Sequence, residues 1–154
     1  MAGNILFVDD EKPILNTFRR TFRNSDFTIF LAEDGPRALE ILAGQDIDVI
    51  ITDMRMPEMN GHQLLRKVRD LWPKTIRLIL SGHAEEKEIA TAILDGSCKM
   101  YLLKPWESKT LADTIRQLLS VREKLRESNL LTIINKMDGM CSPPHIVTKL
   151  MSLI

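Results

Sequence analysis

The sequence predicts a doubly wound α/β fold, a five-stranded parallel sheet covered by helices on both faces. Three observations predict it. Five short apolar runs, Ile5–Val8, Phe27–Ala32, Ile47–Thr52, Ile76–Leu80 and Met100–Leu103, recur along the chain. A stretch of helical periodicity separates each run from the next. The runs are almost continuously apolar instead of alternating, as strands buried on both faces are, and single-helix crossovers between such strands give a parallel sheet with right-handed connections.

Ile5-Leu6-Phe7-Val8 stops at Asp9-Asp10-Glu11, and Ile14, Leu15, Phe18 and Phe22 then repeat at helical spacing. The second strand is followed by Asp34-Gly35-Pro36, a capping residue with a first-turn proline that opens the second helix. Ile47–Thr52 ends at Asp53, and Asn60-Gly61 leads into a helix with Leu64, Leu65, Val68 and Leu71 on its stripe. Ile76–Leu80 runs into Ser81, and the helix of Ile89, Ile93 and Leu94 closes at Asp95-Gly96. Met100–Leu103 meets Lys104-Pro105. The last helix starts at about Glu107 and passes Leu111, Ile115, Leu118, Leu119, Val121 and Leu125 towards Ile134, with no Gly or Pro before Gly139. A helix of ~30 residues extends ~45 Å, more than a five-strand sheet needs, so its far half is expected to pack elsewhere, as a signalling linker or in a coiled coil with a second copy. Arg122, Ser128, Asn129 and Thr132 interrupt any single heptad register. Beyond Gly139, Cys141-Ser142-Pro143-Pro144 opens a new amphipathic pattern, His145–Ile154. The expectation is a longer protein whose output domain begins there, with boundaries at 3–122 for the α/β domain, 123–139 for a helical linker and 140–154 for the start of the output domain.

At 154 residues, 44% hydrophobic and 27% charged, the chain is too apolar for a disordered protein and fits one ordinary domain with an appendage. No run approaches the ~18 apolar residues of a membrane span, and Met1-Ala2-Gly3-Asn4 lacks the basic start of a signal peptide. A cytoplasmic location without membrane contact is expected. The two cysteines, Cys98 and Cys141, make no disulfide framework, and the three histidines, His62, His83 and His145, show no zinc-ligand spacing. His62 and His145 are expected at the surface and His83 near the strand ends. The net charge of zero is unevenly divided, with 14 basic and 17 acidic groups in residues 1–107 and 7 and 4 in residues 108–154. That basic excess in the tail is too diffuse for the clustered phosphate contacts of a nucleic-acid-binding arm, so no direct nucleic-acid partner is expected.

In a parallel α/β sheet, ligands bind outside the carboxyl ends of the strands. The residues that follow the apolar runs are Asp9 and Asp10, Asp53, Ser81, and Lys104-Pro105, all on that one edge. Singly, each has an ordinary explanation: Asp10 and Ser81 as helix caps, Asp53 as a turn residue, Lys104 as a solvated end. Together they do not, because two like charges ~5 Å apart repel by roughly 3 kcal/mol at an effective dielectric of ~20, and three carboxylates converge. Lys104 supplies one compensating charge. Oxygen ligands without His or Cys suit a hard divalent ion that keeps several waters, Mg²⁺. A carboxylate, a hydroxyl, an ammonium and such an ion suit phosphoryl transfer, with Asp53 as nucleophile, Lys104 neutralising phosphoryl charge and Ser81 donating a hydrogen bond to a phosphoryl oxygen.

Phe7-Val8-Asp9-Asp10-Glu11, Ile51-Thr52-Asp53-Met54-Arg55-Met56-Pro57, Leu80-Ser81-Gly82 and Tyr101-Leu102-Leu103-Lys104-Pro105 together resemble the receiver (CheY-like) domain of two-component response regulators, over roughly residues 3–122. The resemblance implies a flavodoxin-like (βα)₅ sheet in the order 2-1-3-4-5. It implies that Asp53 accepts a phosphoryl group from a sensor histidine kinase, a phosphotransfer protein or a small phosphodonor. It implies that Asp10, Asp53 and the Arg55 backbone carbonyl ligate Mg²⁺ while Asp9 acts through water, and that Ser81 and Lys104 contact the phosphoryl group. It also implies a cis Lys104-Pro105 bond and a switch in which Ser81 and Tyr101 move together to reshape the face of the fourth helix, fifth strand and fifth helix. Such a domain is a regulatory phosphoacceptor and not an enzyme acting on a separate substrate. Gly82 stands where alanine is usual, and Arg55 and His83 occupy variable flanking positions expected to set the lifetime of the phosphorylated state.

Leu102-Leu103-Lys104-Pro105-Trp106 is similar to receivers fused to HD-type domains, and the segment from Met140 to Ile154 resembles the opening of an HDOD output domain. Two enzyme or cofactor readings of the same fold fit less well. A flavodoxin-type phosphate loop would not be built from Asp9-Asp10-Glu11, and a haloacid-dehalogenase-like phosphatase would need an acid where Arg55 stands. The alternative that remains is a receiver fold used, without phosphorylation, for docking or dimerisation.

Overall fold

The computed structural model describes residues 3–82 and 86–127. Strands β1 (Asn4–Val8), β2 (Thr28–Ala32), β3 (Val49–Thr52), β4 (Ile76–Ser81) and β5 (Met100–Leu103) alternate with helices α1 (Lys12–Thr21), α2 (Gly35–Gly44), α3 (Gly61–Leu71), α4 (Glu86–Leu94) and α5 (Ser108–Glu127). The sheet has the order β2-β1-β3-β4-β5, and every pairing is parallel. The expected flavodoxin-like sheet is therefore the observed one. Chain order reverses at β1, so the crevice at the switch point lies between the carboxyl ends of β1 and β3.

The central strands are buried throughout, as their unbroken apolar sequence requires: every residue of β3 and β4 is buried, and so are Ile5 to Val8 of β1. On one face Leu6, Val8, Ile50 and Ile79 join Leu42, Leu64, Leu65, Val68 and Ile89 in a single core beneath α2, α3 and α4. On the other face Phe7 stacks on Phe18 of α1 and lies near Phe22. The edge strands are half-covered, and on β5 exposed Tyr101 and Leu103 alternate with partly buried Met100 and Leu102.

The chain divides into two compact units, residues 1–108, which hold the whole sheet and α1 to α4, and residues 109–154. Within the second, α5 carries buried Leu111, Ile115, Leu118 and Leu119 at helical spacing. The expected continuation of this helix towards Ile134, the linker beyond it and the segment 140–154 lie outside the described residues.

The caps read from sequence are largely in place. The Asp34 side chain accepts from the Arg37 amide, and Asn60 and Gln63 form a reciprocal capping box at the start of α3. Helix α1 differs: its N-cap position is Glu11, which makes no side-chain cap, so Asp10 does not serve as one. The helical stripes also end earlier than expected. Leu71 and Leu94, the last residues of α3 and α4, are exposed, because a stripe continued through the final turn leaves the layer it covers.

Candidate functional site

Val8 and Thr52 are register partners on neighbouring strands, so Asp9 and Asp53 leave the sheet side by side. The backbone holds both: the Asp53 amide donates to Val8 O (2.9 Å) and the Asp9 amide to Ala32 O (3.1 Å). One carboxylate oxygen each of Asp9, Asp10 and Asp53 lies within 4.8 Å of the others. Asp9 is buried, with one oxygen accepting from the Glu11 amide (2.9 Å) and the other from Lys104 Nζ (2.9 Å). The same ammonium stands 3.4 Å from Asp53 Oδ1. Asp10 is exposed and Asp53 half-buried, which grades the cluster from a buried ion pair to an open face.

Lys104 is placed by β4, since its amide donates to Ser81 O (2.9 Å), and the Lys104-Pro105 bond is cis, as the family resemblance implied. Ser81 is fully buried, and its hydroxyl reaches Gly82 O at 3.4 Å. It is the last residue of β4 and not a helix cap. The loop after Asp53 is tied at both ends. Thr52 Oγ1 donates to Asp53 O (2.9 Å), and the Gly61 amide donates to Met54 O (2.8 Å). A Cβ on Gly61 would sit 2.3 Å from Asp53 O and 3.0 Å from Met54 Cα, so glycine lets α3 begin against the backbone of the acidic residue. Arg55 shares an open groove of about 310 Å³ with Met56, Asn60 and Glu88 of α4. Tyr101 is exposed, on the wall of a separate groove of about 280 Å³ with Ile89, Ile93 and Leu103. His83 lies outside the described residues.

The electrostatics follow from this packing. Burial raises the Asp53 carboxyl to about 6, with Asp9 adding to the rise and Lys104 opposing it. Burial alone would depress the Lys104 ammonium, but its hydrogen bond to Asp9 and the charges of Asp53 and Asp9 outweigh burial and raise it. Three carboxyl groups face one ammonium, and every candidate ligand atom among them is an oxygen. That donor set fits Mg²⁺.

The response regulator receiver domain family matches residues 5–116. The chain belongs to that family. It is a receiver domain of two-component systems. Among curated relatives it is 32% identical to the hydrogenase transcriptional regulatory protein HoxA of Bradyrhizobium diazoefficiens, over 83% of this chain and 26% of that protein. It is also 32% identical to the response regulator MprA of Mycobacterium ulcerans, over 82% of this chain and 54% of the relative. The chain thus spans about a quarter of the length of HoxA, from this and from a second organism. Among solved structures, the signal receiver domain of an HD domain-containing protein from Pseudomonas fluorescens Pf-5 superposes with a TM-score of 0.76 at 32% identity, covering 80% of this chain and 99% of that one.

The receiver also holds a polar corner that sequence reasoning missed. His62, expected at the surface, is largely buried and sits 2.7 Å from Asp95 Oδ2. The turn Asp95-Gly96-Ser97 between α4 and β5 is gripped from two elements. Arg69 of α3 donates to Asp95 O (2.7 Å), while Arg77 of β4 donates to Ser97 O (3.0 Å) and Gly96 O (3.3 Å). Asp95 also accepts from the Ser97 amide (2.9 Å). Burial opposes its ionisation, but the bonds from Ser97 and His62 hold the carboxyl down to about 2. The available signal was Arg77 itself, a cation within an otherwise apolar strand, which must find partners when buried.

Proposed function

We propose that this receiver is a phosphorylation-dependent switch in which Asp53 is the phosphoacceptor. The observation that carries the reading is the Lys104 ammonium lying between Asp9 and Asp53, at 2.9 and 3.4 Å, within a cluster of three carboxylates at the carboxyl edge of the sheet. With its acid range near 6, Asp53 is ionised at neutral pH and can attack phosphorus. A new bond forms from Asp53 Oδ to phosphorus as the bond from phosphorus to the donor breaks, and the donor's leaving group departs with the electron pair and takes up a proton. Lys104 neutralises charge on the transferred group, and the Ser81 hydroxyl donates to one of its oxygens.

Asp10, Asp53 and the Arg55 carbonyl would hold Mg²⁺, with Asp9 acting through water while it anchors Lys104. The ion, when bound, supplies charge neutralisation for the phosphoryl oxygens. Tyr101 is the switch aromatic in this reading, since its exposed ring borders the α4–β5 groove and has room to turn inward as Ser81 shifts towards the phosphoryl group.

The phosphodonor is a sensor histidine kinase or phosphotransfer protein, and the signal passes to an output domain of the same protein, working in the cytoplasm. An HD-type or HDOD output is favoured by Trp106 after Lys104-Pro105 and by the similarity to a receiver from an HD domain-containing protein. The boundaries 3–122, 123–139 and 140–154 follow from that reading, as does pairing of two copies through the C-terminal helix. No described helix is long and apolar enough to cross a membrane. Intact mass after incubation with acetyl phosphate and Mg²⁺ tests the core of the proposal. One added phosphoryl group, absent in Asp53→Ala and after chelation, is expected, and an unchanged mass in the unsubstituted protein overturns it.

A further inference from the structure

We propose that Trp106, outside the acidic pocket, is a positioning residue that holds Lys104 in register with the carboxylates. Lys104 follows β5, an edge strand paired with β4 only, whose residues Tyr101 and Leu103 are exposed. The Lys104 amide is bonded to Ser81 O, and among the described residues no strand lies on the far side of β5 to fix its end. Two residues on, the Trp106 ring stacks on Phe18 of α1, with centroids 4.6 Å apart and planes 13° from parallel. Phe18 stacks in turn on Phe7 of β1 at 3.9 Å and 15°. Nearby, the Thr21 and Ser108 hydroxyls lie 3.4 Å apart.

This aromatic column joins the segments that build the pocket. Phe7 is two residues before Asp9, α1 begins directly after Asp9-Asp10-Glu11, and Trp106 is two residues after Lys104. The column therefore fixes, from behind the pocket, the separation across which Lys104 meets Asp9 at 2.9 Å. The Lys104 ammonium serves Asp9 at 2.9 Å and Asp53 at 3.4 Å from one backbone position, so a displaced Cα changes the span the side chain must cover to meet both at once. Misplacement by ~1 Å from a change remote from the chemistry can slow a reaction by ~10²-fold.

The rate consequence rests on the phosphoryl-transfer reading above, whereas the effect on Lys104 itself does not. The test therefore uses two readouts on the full chain, both at a temperature where circular dichroism shows each variant folded. In the first, brief acetylation with acetic anhydride is followed by peptide mass mapping, with exposed Lys12 as internal reference. Trp106→Leu is expected to raise Lys104 labelling relative to Lys12 by about fivefold, and Trp106→Phe, which keeps a stacking ring, to restore it. In the second, the rate of phosphoryl incorporation from acetyl phosphate at saturating Mg²⁺ is expected to fall about tenfold in Trp106→Leu. In a Lys104→Ala background the same change should have no further effect, because residues acting through one group are not additive. Unchanged Lys104 labelling, or an equal loss of rate with and without Lys104, overturns the proposal. Raised labelling in a protein that is never phosphorylated leaves the positioning role standing and removes the functional reading. If Trp106→Leu does not fold, Phe18→Leu weakens the same stack from its other ring, and the labelling ratio decides.

Discussion

Replacing Asp53 by asparagine should make the metal-free receiver more stable, although it removes a charge that faces a lysine. The carboxyl rises from 3.8 to about 6 on folding, because burial and Asp9 together outweigh Lys104. A group whose folded value is raised binds more protons in the native state, so stability falls as pH climbs from about 4 to about 6 and the full cost is present above. Two pH units correspond to about 3 kcal/mol. The side chain is only 13% exposed, so solvent screening takes little from that figure. Asparagine is neutral and nearly isosteric, so Asp53→Asn should gain up to about 3 kcal/mol at pH 7.5 and almost nothing at pH 4. The assay is urea unfolding followed by circular dichroism, in chelator, at both pH values. An Asp53→Asn variant less stable than the parent at pH 7.5, or one whose gain is the same at both pH values, rules out a net cost of ionising Asp53 in the fold. Added Mg²⁺ should narrow the gap, since a ligand of the folded state stabilises it by RT ln(1 + [L]/Kd) and a neutral amide in place of the Asp53 carboxylate is a weaker ligand.

Two further outcomes are expected. Gly61→Ala should destabilise by about 3 kcal/mol, because a Cβ placed 2.3 Å from Asp53 O forces backbone and not merely side chains to move; urea unfolding that shows equal or greater stability contradicts the assigned contact. Asp95→Asn should lose about 2 kcal/mol at neutral pH by weakening its bonds to His62 and the Ser97 amide. Its carboxyl is held down to about 2, so the stability it contributes is present above pH 4 and disappears as pH falls through 2. The gap between parent and variant should therefore close in acid, and a gap that persists at pH 2 counts against bonds made to the ionised Asp95 carboxylate.

What the sequence showed, it showed because a parallel sheet converts chain position into spatial position. Residues that follow apolar runs share one edge whatever the loops do, so Asp9, Asp10, Asp53, Ser81 and Lys104 were readable before their distances were known. Strand starts were less readable. Phe27 and Ile47 are apolar because they are buried, yet they precede the hydrogen-bonded ladders that begin at Thr28 and Val49. Burial extends beyond pairing, and the sequence reports burial. The corner of His62, Arg69, Arg77 and Asp95 was not readable, because it depends on α3, β4 and the α4–β5 turn meeting in space. Asp95-Gly96 had marked only the end of a helix, and Gly96 indeed has a positive φ of 78° there. Glu58, in the left-handed region at φ 67°, was equally hidden, since nothing in its side chain calls for that conformation.

The most direct test of the central claim is to locate the phosphoryl group. After incubation with acetyl phosphate and Mg²⁺, borohydride reduction converts an acyl phosphate on aspartate to homoserine, which peptide mass mapping places in the chain. Reduction is expected at Asp53 alone, abolished by chelation, and slowed but not moved by Lys104→Ala. Modification at Asp9 or Asp10, or none at any aspartate, would contradict that claim.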